Sequence, residues 1–162
     1  MSILLKHLHD RAAHAHPNPT EGQQRAGNYR KGHVKAHGLD VTIENAKGSI
    51  RRGTGRDGKP WQVRMAFPYG YIKRTTGADG DHVDVTIGPH LKCPRIYVVD
   101  QRDADTGKFD EHKVYMGFAS ADHVRRAYRQ GFSDRRGDDR MGAITEMSPD
   151  QFRSWLKAGD TT

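Results

Sequence analysis

Val83-Asp84-Val85-Thr86-Ile87 alternates apolar and polar side chains at a period of two, the pattern of a strand with one face buried and one open. Directly ahead of it stands a glycine turn, Gly77-Ala78-Asp79-Gly80-Asp81-His82, and ahead of that Phe67-Pro68-Tyr69-Gly70-Tyr71-Ile72. Leu39-Asp40-Val41-Thr42-Ile43 repeats the alternation, residues 60–66 repeat it again, and Ile96 to Val99 and Val114 to Phe118 add two β-branched and aromatic runs. Thr106-Gly107 centres the loop of a hairpin joining those last two. Two helices follow. Ser120 caps a segment in which Val124, Ala127 and Tyr128 share a face before Gly131, and Ser148-Pro149 opens another, where Phe152, Trp155 and Leu156 form an i, i+3, i+4 stripe before Gly159. That stripe is expected in the core rather than against a cofactor. The charge-dense stretch Ser133 to Arg140 reads as a solvated loop. Five visible strands and two late helices predict a small twisted β-barrel.

At 162 residues the chain has room for one domain with tails. Residues 1–27 show no sustained apolar period and hold His7, His9, His14 and His16 beside Pro17 and Pro19. They are expected to form a flexible arm ahead of a domain over residues 28–160. The i, i+2 histidine spacing, with no second ligand cluster, does not make a metal site. The longest apolar run, Ile3-Leu4-Leu5, is far short of the roughly 20 residues a bilayer span needs. No cleavage pattern follows it, so neither a membrane span nor a standard secretion signal is expected. Cys93 is the sole cysteine, which rules out an internal disulfide and a cysteine zinc cage and fits a reducing compartment. Twenty-seven Lys and Arg against 20 Asp and Glu give a net charge of +7, so the expected partner is anionic: a phosphate metabolite, nucleic acid or an anionic surface. The basic arm is a candidate for weak nucleic-acid contact.

Asp79, Asp81 and Asp84 stand in a glycine turn and at the start of the strand after it, so their side chains can converge. Like charges that close repel, and either a cation is bound or their pKa values rise. Oxygen donors with no Cys and no recognisable His cluster suit Mg²⁺, with Mn²⁺ as an alternative. A calcium EF-hand fails, because the position that must carry its bidentate glutamate is His90. The plain alternative is a polar turn between two strands.

With its Tyr69-Gly70-Tyr71-Ile72 partner, Asp79-Gly80-Asp81-His82-Val83-Asp84-Val85 resembles the signature of the family I soluble inorganic pyrophosphatases, an Asp-Gly-Asp-x-x-Asp-Val run preceded by Asn-Tyr-Gly-Tyr-Ile. More closely, the chain resembles the pyrophosphatase-like domain of bacteriophage and prophage polyvalent proteins over about residues 20–159. Gly27-Asn28-Tyr29, Lys31-Gly32-His33, Glu44-Asn45, Lys47-Gly48 and Gly142-Ala143-Ile144-Thr145 carry that closer likeness. The resemblance implies a mainly β (α+β) fold, an OB-like five-stranded β-barrel with two C-terminal helices. It also implies Mg²⁺-dependent hydrolysis of pyrophosphate, or a related phosphoanhydride, in a bacterial cytoplasm.

Residue by residue, it makes Asp79, Asp81 and Asp84 metal ligands and gives Asp81 a second role as general base toward a water bridging two metals. Asp105 and Asp110 match a later acidic pair of metal ligands, with Lys113 as the lysine that follows; Asp103 competes for that match. Glu44 matches an early strand glutamate, Arg51 or Arg52 a substrate lysine, Arg64 a phosphate-binding arginine and Tyr69 a strand tyrosine. Lys113, Arg64 and Tyr69 thereby join Asp81 as catalytic candidates, and Arg51, Arg52 and Tyr128 join the substrate-binding set. Two departures stand out: Arg51-Arg52-Gly53 lacks the glutamate of a Lys-x-Glu pair, and only Tyr128-Arg129 or Phe132-Ser133 stands where a late Tyr-Lys pair holds phosphate. Those losses keep open a second reading, a catalytically degenerate phage module that binds metal and phosphate and contacts DNA or protein through its basic surface. A nuclease using the same aspartates is a third reading, without any recognised nuclease pairing to support it.

Overall fold

In the computed structural model, residues 8, 10–27 and 29–162 are described. His7, His9, Asn28 and the Ile3-Leu4-Leu5 run lie outside them. Nine strands occur among the described residues: β1 (Gly32–Ala36), β2 (Leu39–Asn45), β3 (Ile50–Thr54), β4 (Pro60–Arg64), β5 (Tyr69–Ile72), β6 (Asp84–Ile87), β7 (Ile96–Arg102), β8 (Phe109–Met116) and β9 (Met141–Met147). Helices α1 (Glu21–Ala26), α2 (Ala121–Gln130), the single turn α3 (Gly137–Arg140) and α4 (Pro149–Ala158) accompany them, and residues 8 and 10–12 are helical as well. The fold is mainly β, as expected. It is not the closed five-stranded barrel, because seven strands run in the open order β1-β2-β5-β6-β8-β7-β9 while β3 and β4 pair as a separate hairpin.

Alternation along the strands sends successive side chains to opposite faces, and both faces are covered. Along β7, Ile96 and Val98 join one buried cluster and Tyr97 and Val99 the other; along β8, Val114 and Met116 alternate in the same way with Tyr115. On the first face Phe152 of α4 lies fully inside, with Trp155 and Leu156 packed at its margin, so the stripe is core as expected. Burying a side chain of that kind stabilises by roughly 1.5–3 kcal/mol. On the second face Val124, Ala127 and Tyr128 of α2 cover Tyr97, Val99 and Tyr115. Both helices start where the sequence places their caps. The Ser120 hydroxyl accepts from the His123 N–H, and Ser148 and Gln151 form a reciprocal capping box with Pro149 in the first turn.

Two local features fix the start of the sheet. Ala36 pairs with Leu39 across a two-residue turn whose His37 and Gly38 have φ of 51° and 77°, the doubly left-handed geometry that a tight hairpin favours. Of the flexible arm expected over residues 1–27, the residues from Leu8 to His16 that the structure describes pack on the sheet. Leu8, Ala12 and Ala15 are buried in the first cluster, the His16 N–H donates to the Arg30 carbonyl at 2.8 Å, and the Arg11 guanidinium donates to the His33 carbonyl at 3.1 Å. Three small or aliphatic residues were enough to dock it, too few to register as a period. Among the described residues no helix is long and apolar enough to cross a membrane.

Candidate active site

The pairing of β6 with β8 is parallel and sets Asp84 directly beside Lys113. β5 sets Tyr69 opposite Thr86 on the far side of β6. Their side chains meet: the Lys113 Nζ donates to Asp84 Oδ2 at 2.5 Å and to the Tyr69 hydroxyl at 3.1 Å, and lies 2.7 Å from Glu111 Oε1. The β3–β4 hairpin leans over this cluster and brings Arg51 with it. The guanidinium lies 4.8 Å from the centre of the Tyr69 ring and 5.3 Å from that of Trp61. Lys113, Arg51, Tyr69 and Glu111 help to line a cavity of about 180 Å³, to which α2 contributes Ala127, Tyr128 and Gln130.

A β-bulge decides which acidic side chain reaches the cavity. Gln101 of β7 pairs with Glu111 and Arg102 with Phe109, so Asp110 is the extra residue. Both carboxylates therefore approach one amide: the Gln101 Nε2 donates to Asp110 Oδ2 at 3.0 Å and to Glu111 Oε1 at 3.4 Å, while its Oε1 accepts from the buried Tyr128 hydroxyl at 2.8 Å. Gln101 is thus fixed at both ends. Further out, Glu44 of β2 accepts from the Tyr29 hydroxyl at 3.2 Å.

The charges are arranged so that the cations stay charged and some carboxylates are under pressure to take a proton. Burial would lower the Lys113 pKa, but Tyr69, Asp84 and Glu111 outweigh it and hold the ammonium well above its ordinary value. Arg51 is held up in the same way, against burial, by Tyr69, Asp84, Glu44 and Glu111. Glu111 is pushed up by burial, with Asp84 and Asp79 adding repulsion that Lys113 only partly offsets. Glu44 is pushed up by burial and then by Asp84. Two basic groups thus face a larger number of carboxylates, a balance that favours a further cation.

The other expected site residues fall into two groups. Asp79 and Asp81 stand exposed on the turn ahead of β6, which is tied by the Gly77 N–H to the Asp81 carbonyl (2.7 Å) and by Asp79 Oδ1 to the Asp81 N–H (3.0 Å). Asp105 is not brought to the cavity: it sits at the tip of the β7–β8 hairpin, paired with Arg136 at 2.7 Å. Asp103 caps that same turn through the Asp105 and Thr106 N–H groups and pairs with Arg56 at 2.7 Å. Arg52 points away from Arg51, as neighbours on a strand must, and bonds Asn18. Arg64 is exposed and donates to the Gly48 carbonyl at 2.6 Å. The missing glutamate at Gly53 has a steric cause, since a Cβ there would lie 2.6 Å from the Trp61 ring. Glu111 and Gln101 were not expected from the sequence. Glu111-x-Lys113 at strand period was the available signal for the first; only the bulge identifies the second.

Among the described residues no three His, Cys, Asp or Glu side chains are gathered into one metal-binding group. The donor chemistry nonetheless fits a hard divalent cation. Asp79, Asp81, Asp84, Glu111 and Glu44 are all oxygen donors, and two of them, Asp84 and Glu111, already share the ammonium of Lys113.

A protein-family model described as inorganic pyrophosphatase matches residues 21–157. No curated protein matches the chain. A crystal structure of an inorganic phosphatase from Anaplasma phagocytophilum is similar at 16% identity over 73% of this chain and 88% of that one, with a TM-score of 0.44. The family match runs unbroken from ahead of Tyr29 to past Phe132 and so encloses the whole cavity with its acidic surround; on that match the chain belongs to the inorganic pyrophosphatase family.

Proposed function

We propose that this chain hydrolyses inorganic pyrophosphate with a divalent cation, Mg²⁺ or in its place Mn²⁺. The observation that carries the reading is Lys113, a buried ammonium that lines the cavity while anchored to Asp84, Glu111 and Tyr69. Membership of the family supports the same reaction. Asp79, Asp81 and Asp84 would hold the cation, with Glu111 and Glu44 adjoining. When bound, it supplies Lewis acidity toward phosphate oxygens and makes water a stronger acid.

The chain's own groups do the rest. Phosphoryl transfer spreads charge over the equatorial oxygens, so positioning and electrostatics carry the catalysis. Lys113 and Arg51, both held fully charged, neutralise phosphate oxygens from the cavity wall. The Tyr69 hydroxyl already accepts from Lys113, which leaves its own proton to donate to the substrate. Asp81 accepts the proton of the attacking water at a carboxylate oxygen; its exposed place on the turn leaves that carboxylate accessible. Gln101 holds Glu111 in position. Phosphate release from pyrophosphate, measured with Mg²⁺ and again after chelation, tests the proposal. Release that chelation abolishes is the expected result, and none at any Mg²⁺ or Mn²⁺ concentration between about pH 6 and 9, where a coordinated water ionises, refutes it.

A further inference from the structure

Arg51 reaches the cavity from an element that cannot hold itself in place. Among the described strands β3 and β4 pair only with each other, and none of their residues is fully buried. A lone two-stranded hairpin is marginal in water unless something packs against it. Its position is therefore set by the contacts made along it and at its two ends. At the base, the Gly48 N–H donates to the Met65 carbonyl at 2.7 Å and the Met65 N–H to the Ser49 carbonyl at 2.9 Å. At the far tip Arg56 pairs with Asp103 at 2.7 Å, and with its arginine exposed that pair is worth little.

A third set of contacts runs along β3. The Ile50 N–H donates to the Pro17 carbonyl at 3.3 Å, the Arg52 guanidinium donates to the Asn18 side-chain oxygen, and the Thr54 hydroxyl donates to Glu21 Oε1 at 2.5 Å. Arg52 and Thr54 alternate with Arg51, so their bonds form on the face turned away from it and leave Arg51 to the cavity. The segment that receives these bonds is itself well anchored. Thr20 and Gln23 form a reciprocal capping box at the start of α1, the Gln24 side chain donates to the Pro19 carbonyl at 3.1 Å, and Pro19 is buried. We propose that Asn18 and Glu21 are positioning residues for Arg51: they strap β3 to residues 17–21 and keep the guanidinium over the Tyr69 ring, where it meets a diphosphate. This rests on the role of Arg51 in the proposed function and adds what keeps Arg51 there. Without the strap the hairpin leaves its position for part of the time, and the apparent affinity for the diphosphate falls in proportion to the fraction still in place. The bound complex is unchanged, so kcat is too.

The test measures Kd for methylenediphosphonate with Mg²⁺ by calorimetry, and KM and kcat for pyrophosphate. It compares the parent with the double variant Asn18→Ala with Thr54→Val, which removes the acceptor for Arg52 and the donor to Glu21. Kd and KM are expected to rise about five- to tenfold, as a competent fraction of about 0.1–0.2 requires, with kcat within about twofold. Asn18→Asp with Thr54→Ser keeps both bonds and is expected to match the parent. In an Arg51→Met background the first double variant is expected to add nothing, because residues that act through one another are non-additive. Linkage is reciprocal, so in the parent, with no substitution at all, the analogue is expected to slow hydrogen exchange at the Ile50 amide. Unchanged Kd and KM in the first double variant, a loss of full size in the Arg51→Met background, or an Ile50 amide that the analogue leaves unprotected overturns the inference, while turnover by the parent keeps the proposed function standing. No turnover by the parent, but analogue binding that the first double variant weakens, overturns the hydrolase reading and supports the strap. Binding of the analogue by neither protein overturns both.

Discussion

Replacing Lys113 by methionine keeps the length of the side chain and removes its charge. Asp84 and Glu111 then share one site with no ammonium between them, where the parent has contacts of 2.5 and 2.7 Å. Breaking a buried ion pair from one side costs roughly 3–5 kcal/mol. The side chains here are 14%, 22% and 15% exposed for Lys113, Asp84 and Glu111, so water offsets part of the loss and about 2–3 kcal/mol is expected. For a domain of this size that is a fall in Tm of roughly 5–10 °C. Glu111 is already pushed up by burial and rises further once Lys113 is gone. A carboxylate whose folded pKa lies above its unfolded value contributes stability that is complete below the unfolded pKa and is lost as pH rises through the folded one. The gap between variant and parent is therefore widest near neutrality and narrows toward about pH 4. Saturating Mg²⁺ restores part of it by mass action on the folded state. Circular-dichroism melting of both proteins at pH 7 and about pH 4, in chelator and in Mg²⁺, reads all of this. Equal melting temperatures at pH 7, or a gap of the same size at pH 4, would refute the assignment of Lys113 as the counter-charge of this cluster.

Asp81→Asn is expected to lower pyrophosphate turnover by about a hundredfold while leaving Tm within error, because the turn is tied through backbone groups and Asp79; turnover equal to the parent's removes Asp81 from the mechanism. Gly70→Ala places a Cβ 1.8 Å from the Thr42 carbonyl oxygen, so β2 and β5 must part. A loss of about 3 kcal/mol or more is expected in urea unfolding, and an unchanged midpoint contradicts the register of those strands. The Asp134 carboxyl is held down to about 2, first by its hydrogen bond to Arg140. Its contribution is present above the ordinary carboxylate pKa and lost as pH falls through 2. Being an exposed pair, it is worth less than about 1 kcal/mol. Asp134→Asn should accordingly differ from the parent at pH 7 and converge with it near pH 2; a constant offset across that range speaks against the pair.

Strands with clean alternation were legible in the sequence. Residues 39–43, 83–87, 96–99 and 114–118 all lie in or overlap strands, and residues 60–66 contain β4. What escaped were strands whose pattern serves contacts the local sequence does not encode. β3 carries Arg51-Arg52-Gly53 beside the Trp61 ring, and β9 is an edge strand whose residues are all exposed or half-buried. Each of these hides the period. The barrel was expected from five visible strands with two late helices and from the resemblance; the sheet instead has seven strands in an open order, with buried clusters on both faces. In the site, the aspartate turn was plain from composition and spacing. Lys113 and Tyr69 followed from the resemblance, and the structure brings both to the cavity. Asp105 did not follow, since sequence spacing cannot say that the hairpin carries its tip away from the sheet. Glu111 stayed hidden behind Asp110 because a one-residue bulge exchanges which of two adjacent acids faces inward.

Among the described residues a single parallel pairing divides the seven-stranded sheet into two halves. Residues 32–87 supply β1, β2, β5 and β6, residues 96–147 supply β7, β8 and β9, and only β6 against β8 joins them. Each half can zip up through antiparallel neighbours, whereas the joint must wait for a loop that contains the whole of β7, and such non-local closures are slow. Arg51 and Asp84 belong to the first half, Glu111 and Lys113 to the second. Neither half owns a site, and a ligand held by both acts as a clasp across the seam. In refolding, amide protection at Val85 and Val114 should trail that within β1 and β2, and a ligand should slow their opening more than any other; simultaneous protection throughout the sheet would erase the distinction between assembling the fold and assembling the site.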